Sequence, residues 1–193
     1  MPQMNLEEAR RRLDREITFF HFKRAERLIR SALREAKERR EYFFCEYFTA
    51  QRFILCEEYR AALVALNRAL RLRPTDGCTY NDKALCYAEQ EEYQRALAVF
   101  DEGIRKDPDC ATLYHNKGWL LSESGEYRKA LVCFQKALEI DADRPEALFS
   151  IADCLVRLGE SRAARAYYLR TAQAVRGRCR YVAREVGRRL RRL

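Results

Sequence analysis

ATLYHNKGWLLSESGEYRKALVCFQKALEIDADR, residues 111–144, repeats the pattern of the 34 residues before it, GCTYNDKALCYAEQEEYQRALAVFDEGIRKDPDC at 77–110. The pattern continues, more weakly, over 43–76 and 145–178. Small residues recur at positions 8 and 20 of each copy, and bulky apolar residues recur at positions 11 and 24. These four sets are Ala50, Ala84, Gly118 and Ala152; Ala62, Ala96, Ala130 and Ala164; Phe53, Tyr87, Leu121 and Leu155; and Leu66, Phe100, Phe134 and Tyr168. A fixed step of this length is typical of a repeat architecture, in which each copy buries its apolar face against its neighbours.

Each copy has the apolar spacing of two helices. Apolar residues recur at i, i+3 and i+4 over positions 2–14 and again over positions 17–30. The small residues let the two helices approach closely, and the bulky residues fill the space above and below them. Gly125 and Gly159 stand between the helices, where glycine adopts the left-handed conformation that ends a helix. Pro74 and Pro108 stop the second helix because proline lacks the N–H that the helix needs. The sequence therefore predicts an all-α fold of antiparallel helix pairs.

The central copies resemble the tetratricopeptide repeat family. The residues that carry the likeness are Tyr114, Gly118, Leu121, Gly125, Tyr127, Ala130, Phe134 and Ala137, together with Tyr80, Ala84, Tyr87, Tyr93, Ala96, Phe100 and Pro108. Glu46 departs from the family pattern, which usually has an aromatic residue there, and Glu57 and Glu91 replace the glycine of the turn. The resemblance covers 43–178 and implies a right-handed α-solenoid, a tetratricopeptide-like superhelix, that works by binding other proteins.

The two ends of the chain are helical but do not follow the 34-residue step. Residues 1–42 form an N-terminal helical segment in which Phe22, Ala25 and Ile29 lie 37 residues before Tyr59, Ala62 and Leu66. We interpret this segment as a degenerate helical pair or one long bent helix. Residues 179–193 form an arginine-rich helix that caps the last apolar face, as repeat proteins require.

Composition excludes several classes of protein. The longest apolar run, Ala61 to Leu66, has six residues, so we expect no signal peptide and no membrane span, and a cytoplasmic location. The eight cysteines form no C-x-x-C pair, which favours free thiols and no metal site. Two histidines, His21 and His115, and the lack of a glycine-rich phosphate loop or nucleophile elbow indicate a protein that is not an enzyme and needs no cofactor.

The family resemblance implies a concave groove lined by the first helix of each copy. The candidate partner-binding residues of this groove are Tyr47, Phe48, Gln51, Asn81, Asp82, Leu85, Glu89, His115, Asn116, Trp119, Glu123, Glu146, Phe149 and Asp153. An acidic groove with aromatic residues suits a protein segment that carries Lys or Arg and some apolar side chains. The alternative is an ordinary charged helix surface, with Trp119 packed against the next helix.

The basic C-terminal segment permits a second function. Net charge is +9, and 145–193 alone holds twelve arginines against four carboxylates. The C-terminal patch consists of Arg176, Arg178, Arg180, Arg184, Arg188, Arg189, Arg191 and Arg192. It could bind nucleic acid or another anionic surface, or be a solvated face of the capping helix.

Two further interpretations concern partners. The run that includes Phe149, Cys154, Gly159 and Ala164 resembles the last repeat of class II type III secretion chaperones. The aromatic cluster of the first third is either internal packing or a surface for homo-oligomers. That cluster comprises Phe19, Phe20, Phe22, Tyr42, Phe43, Phe44, Tyr47, Phe48, Phe53 and Tyr59.

Overall fold

A computed structural model of the protein describes residues 4–18, 21–176 and 180–193. These residues form eleven helices and no strand. The helices are α1 (Leu6–Thr18), α2 (Phe22–Glu38), α3 (Tyr42–Leu55), α4 (Tyr59–Leu72), α5 (Gly77–Ala88), α6 (Tyr93–Lys106), α7 (Ala111–Glu123), α8 (Tyr127–Ile140), α9 (Pro145–Arg157), α10 (Ser161–Ala174) and α11 (Arg180–Leu190). The all-α fold class expected from the sequence is confirmed.

The second helix of each repeat spans positions 17–30 in all four copies, as the apolar spacing predicts. The position-20 alanines, Ala62, Ala96, Ala130 and Ala164, are all fully buried. Because an alanine leaves room for the backbone of the partner helix, burial at this position accounts for the close pairing of α3 with α4 and its three equivalents.

The chain divides into two compact units, Met1–Lys106 and Asp107–Leu193. In the first unit α1 packs on α2, α2 on α3 and α4 on α5, so the N-terminal segment contributes two separate helices. In the second unit α8 packs on α9, and α11 packs on α10 and buries Val186 completely. Among the helices that the structure describes, none has both the length and the apolar composition needed to cross a lipid bilayer.

The turn between paired helices has a left-handed residue in every copy. Gly125 and Gly159 have φ angles of +78° and +80°, which confirms the prediction for these two glycines. Glu57 and Glu91 occupy the equivalent turns with φ angles of +58° and +61°. A residue with a Cβ is strained by about 1–2 kcal/mol in this conformation, so the two glutamates weaken their turns.

We expect Glu91→Gly to stabilise the protein by about 0.5–1 kcal/mol, because relief of the left-handed strain exceeds the greater flexibility of glycine in the unfolded chain. Urea unfolding followed by circular dichroism measures the change. Glu91→Gln is the matched control, since it removes the charge and keeps the strain. Equal stability of the two variants would contradict the explanation.

Candidate partner-binding faces

The candidate residues fall into one group in each unit. We call Tyr47, Phe48, Gln51, Asn81, Asp82, Leu85 and Glu89 the α3–α5 face, and His115, Asn116, Trp119, Glu123, Glu146, Phe149 and Asp153 the α7–α9 face. Each face lies within a single compact unit.

Much of the α3–α5 face is buried. Tyr47 is 1% exposed and Phe48 is completely buried, and Gln51 and Asn81 are buried as well. Asp82 and Leu85 are half-buried, and Glu89 alone of the seven is exposed. The structure therefore leaves only part of this face open to a partner.

Helix α1 covers the aromatic part of the α3–α5 face. Leu6, Ala9 and Leu13 of α1 belong to the same buried cluster as Tyr47 and Phe48. These three α1 residues follow i, i+3 and i+7, which places them on one side of the helix. The burial of Tyr47 and Phe48 is thus a consequence of packing by α1 together with α2, whose Ala25, Ile29, Ala32 and Ala36 belong to the same cluster.

Arg10 joins α1 to the start of α5 by a buried ion pair. Its Nη1 and Nη2 donate to the two carboxylate oxygens of Asp76 at 2.8 and 2.5 Å. The guanidinium carbon lies 4.2 Å from the ring centroid of Tyr47, a cation–π distance. Asp76 also accepts a hydrogen bond at 2.8 Å from the backbone N–H of Thr79, and so caps α5.

A second ion pair reinforces the first. Nη1 of Arg73, the residue that follows the last residue of α4, lies 2.6 Å from Oε1 of Glu7 on α1. The Arg73 guanidinium also lies over Phe43 and Phe44, at 4.0 and 4.7 Å from their ring centroids. Two cations and three aromatic rings therefore hold α1 beside the junction of α4 and α5.

Asp82 lies in an environment that disfavours its charged form. Burial, reinforced by the nearby negative charge of Asp14, raises the pKa of Asp82 to about 7, although Arg10 and hydrogen bonds from Asn81 and Gln51 oppose the rise. Gln51 Nε2 donates to Asp82 Oδ2 at 2.5 Å. Burial of its carboxyl group also raises the pKa of Asp14, to about 6, against an opposing effect of Arg10, although the residue as a whole is exposed.

We expect Asp82→Asn to stabilise the protein at pH 8 by about 1–3 kcal/mol and to leave it unchanged at pH 4. The folded pKa of about 7 exceeds the unfolded value of about 4, so the folded state binds the extra proton and its stability falls as pH rises between these values. Urea unfolding at pH 4, 6 and 8 measures the effect. Glu89→Gln, which removes an exposed carboxylate from the same face, controls for the loss of one charge, and a pH-independent gain for Asp82→Asn would contradict this assignment.

The α7–α9 face is more open. Trp119 leaves 42% of its surface exposed, and Glu123 and Glu146 are exposed too. Trp119 and Glu123 are one turn apart on α7 and so are neighbours on the helix surface. This face offers a large exposed aromatic side chain with the carboxylate of Glu123 one helical turn away.

His115 is half-buried within the α7–α9 face. Its ring lies 5.3 Å from that of Phe134, and its Nδ1 is buried with no hydrogen-bond partner among the described residues. Burial, with a smaller effect of the positive charge of Arg144, lowers the pKa of His115 to about 4. The imidazole is therefore neutral at physiological pH, and it packs against the core. Asn116, the next residue, is half-buried as well.

The C-terminal helix covers the far end of the α7–α9 face. Nη1 of Arg189 on α11 lies 3.3 Å from Oδ1 of Asp153, and the guanidinium carbon of Arg189 lies 5.9 Å from the ring centroid of Phe149. The Tyr168 hydroxyl also donates to Asp153. Asp153 and Phe149 consequently contact the protein's own α11.

Part of the predicted basic patch is used inside the protein. Arg188 and Arg189 both form ion pairs with Glu185: Nη2 of Arg188 lies 2.5 Å from Oε2, and Nε of Arg189 lies 2.9 Å from Oε1. Arg178 lies outside the described residues, and Arg180 is placed only as the first residue of α11. Among the described members of the patch, the exposed ones are Arg176, Arg184, Arg191 and Arg192, together with the paired Arg188.

Sequence reasoning missed the residues that hold these covers in place. Arg10, Arg73 and Asp76 do not belong to the predicted groove, yet they fix α1 on the α3–α5 face. The sequence did contain a signal for Arg10, because it lies on the same side of the helix as Leu6, Ala9 and Leu13, where an apolar residue would be expected. Arg144 donates to the Thr112 hydroxyl at 3.3 Å and adds to the effect of burial in lowering the pKa of His115, but no sequence pattern pointed to it.

Comparison with known proteins agrees with this architecture. Two family models described as tetratricopeptide repeat match residues 76–143 and 121–184, and together they span more than half of the chain. The chain belongs to the tetratricopeptide repeat family. No match was found among curated proteins.

Solved structures of other tetratricopeptide repeat proteins share the fold. TTC0263, a thermophilic TPR protein of Thermus thermophilus, is 18% identical, and the match covers 96% of this chain and 99% of that one with a TM-score of 0.77. MamA from Desulfovibrio magneticus RS-1 is 17% identical over 90% of this chain and 96% of its own, with a TM-score of 0.59. SycD, a type III secretion translocator chaperone of Yersinia enterocolitica, is 18% identical over 60% of this chain and 89% of its own, with a TM-score of 0.57. At these identities the likeness concerns the fold alone.

Proposed function

We propose that this tetratricopeptide repeat protein is a cytoplasmic protein-interaction scaffold that binds a partner segment through its first-helix faces. The observation that carries the proposal is the exposed Trp119 with Glu123 one turn away and Glu146 also exposed. A large aromatic side chain that remains 42% exposed is an energetic anchor when a partner covers it, and the carboxylate of Glu123 beside it favours a basic segment. On the first unit, taken by itself, Glu89 is an exposed carboxylate, and Asp82 and Leu85 are half-buried.

We expect Trp119→Ala with Glu123→Ala to weaken partner binding by at least about tenfold, since removal of a central interface aromatic typically costs about 2 kcal/mol or more. Affinity purification with mass spectrometry identifies partners of the intact chain, and isothermal titration with the purified partner gives the ratio of dissociation constants.

Val132→Ala with Glu139→Ala is the matched control, because it removes one exposed apolar residue and one exposed carboxylate from α8. Equal loss of binding in both double variants would contradict a site at Trp119. A chain truncated after Ala174 separates the face from the basic patch, and it should keep the partner unless α11 makes the contact.

The other partner hypotheses have narrower support. The exposed arginines of the C-terminal patch favour binding to an anionic surface, and a steep loss of RNA or DNA binding with rising salt would identify nucleic acid as that surface.

The homo-oligomer hypothesis depends on aromatic residues that remain exposed. Phe22 and Tyr42 are exposed at 53% and 64%, whereas Phe43, Phe44, Tyr47 and Phe48 are buried. Phe19 and Phe20 lie outside the described residues. The secretion-chaperone hypothesis predicts co-purification with a hydrophobic secreted protein.

A further inference from the structure

The outward side of α10, the second helix of the last repeat, carries one sign of charge only. Helix α10 contains three arginines and no acidic residue. Residues that recur at i, i+3, i+4, i+7, i+8 and i+11 lie on one side of a helix, and from Arg162 onward every residue of this series is exposed. We call the series the α10 stripe, and its members are Arg162, Arg165, Ala166, Leu169, Arg170 and Gln173. None of its arginines belongs to the predicted C-terminal patch.

The helix that follows continues the positive charge. Residues 161–193 hold eleven arginines and a single acidic side chain, that of Glu185. The charge of Glu185 is already balanced by its ion pairs with Arg188 and Arg189. Helix α11 packs on α10, so the exposed Arg184 and Arg188 extend the positive charge next to α10.

The second helix of the preceding repeat, α8, has a mixed charge on the same side. Its Lys136 has Nζ 2.9 Å from Oε2 of Glu139. The residue of α10 at the place of Glu139 is Gln173, and the residue at the place of Leu131 is Arg165. On this side α10 therefore has one acidic residue fewer and one arginine more than α8.

The arginines of the α10 stripe do not stabilise their own helix. Arg162 lies in the first turn, where the positive end of the helix dipole disfavours a cation. It also lies one turn from Arg165, and like charges at this spacing repel each other. A surface that serves solubility alone mixes both signs of charge, as α8 does. Charges placed against local stability indicate a surface shaped for a partner of opposite charge.

We propose that the α10 stripe, together with the exposed arginines of α11, binds the phosphate backbone of nucleic acid. The stripe is about 16 Å long, at about 1.5 Å per residue from Arg162 to Gln173. One strand of a duplex presents about five phosphates over this length. The guanidinium group matches two phosphate oxygens at once, which an ammonium group does not. Contacts to phosphates carry no sequence information, so the binding is independent of base sequence.

Two other anionic partners fit the stripe less well. A helix that binds a lipid surface needs a continuous apolar side. The stripe has one large apolar residue, Leu169, and the apolar side of α10 is buried in the protein with Ala164 and Tyr168. An interface with an acidic protein segment is centred on apolar and aromatic residues and is poor in charge, which is the reverse of the stripe. The surface lies apart from Trp119, so its failure leaves the proposed protein-binding face untouched.

Fluorescence anisotropy of the full chain with labelled single-stranded RNA and duplex DNA of random sequence tests the surface. The triple variant Arg162→Gln, Arg165→Gln and Arg170→Gln should bind at least about tenfold more weakly than the wild type at physiological salt. For the duplex, the slope of log affinity against log salt should fall by about 2–3, since each neutralised phosphate contributes about 0.9. The form that binds more tightly identifies the backbone geometry. Circular dichroism verifies that these exposed substitutions leave the fold intact.

The matched control is Arg128→Gln, Lys129→Gln and Lys136→Gln, which removes the same charge from exposed positions of α8. It should stay within about twofold of the wild type, because salt screens exposed charges that do not touch the bound strand. Equal loss in the two triple variants overturns the proposal, since binding would then follow net charge alone. Lack of binding by the wild type also overturns it. So does a loss, in the α10 variant, of binding to vesicles of phosphatidylserine and phosphatidylcholine without any loss of RNA or DNA binding.

Discussion

Asp76→Ala should lower the free energy of unfolding by about 3 kcal/mol, one of the two largest effects that we expect from a single change in this protein. Two losses add up. The N-cap of α5 disappears, which costs about 1 kcal/mol, and Arg10 is left as a buried cation, 5% exposed, without its counter-ion. Withdrawal of α1 into water limits the second loss, because it gives Arg10 back its hydration.

A double-mutant cycle with Arg10→Met isolates the ion pair. Methionine keeps an apolar chain over Tyr47 and carries no charge, so Asp76→Ala in that background should cost only the cap, about 1 kcal/mol. The coupling energy from urea unfolding is then about 2 kcal/mol. Additive effects of the two substitutions would show that Arg10 does not depend on Asp76.

The repeat itself was predictable from the sequence because its geometry is local. The two turn glycines act through backbone conformation, and the position-20 alanines act through their small size. Each effect is local to one repeat, so its sequence pattern recurs every 34 residues. Glu57 and Glu91 follow the same geometry although they lack the family's glycine. Packing across the helix pair therefore overrides the local preference of these two turn residues.

The covered faces were not predictable by the same reasoning. A first-helix position was expected to line an open groove, but Tyr47 is buried because the N-terminal helices pack against it, and Gln51 is buried where it donates to Asp82 of α5. The 37-residue spacing upstream of Tyr59 indicated that the N-terminal segment breaks the repeat, but it did not indicate where α1 would pack. Likewise, Arg189 was expected in a solvated patch, and its pairing with Asp153 depends on how α11 turns back. Contacts of this kind depend on three-dimensional packing that has no period in the sequence.

Phe134→Ala should lower the free energy of unfolding by about 3–5 kcal/mol, the usual cost of removing a fully buried aromatic ring. Phe134 is 1% exposed and packs against both Gly118 and the ring of His115, so its loss opens a cavity between α7 and α8 and hydrates the imidazole. The pKa of His115, which burial lowers to about 4, should rise toward its ordinary value of about 6.5 in the variant. Urea unfolding measures the first effect, and an NMR titration of the His115 ring measures the second.

Gly118 packs closely against the ring of Phe134, whereas the second and fourth repeats place an alanine opposite an aromatic ring, Ala84 with Phe100 and Ala152 with Tyr168. A Cβ on Gly118 would lie 2.9 Å from Cε1 of Phe134 and 3.2 Å from the Ala130 carbonyl oxygen, so Gly118→Ala in the wild type forces the ring to move and should destabilise by about 1 kcal/mol. In a Phe134→Leu background the pair becomes the alanine and leucine of the first repeat, Ala50 and Leu66. There Gly118→Ala should stabilise by up to about 1 kcal/mol, because alanine favours a helix interior over glycine and the shorter side chain leaves room for its Cβ. Urea unfolding of the four proteins decides the matter: the effect of Gly118→Ala must change sign between the two backgrounds, and the same sign in both would mean that position 118 is not shaped by the ring opposite it.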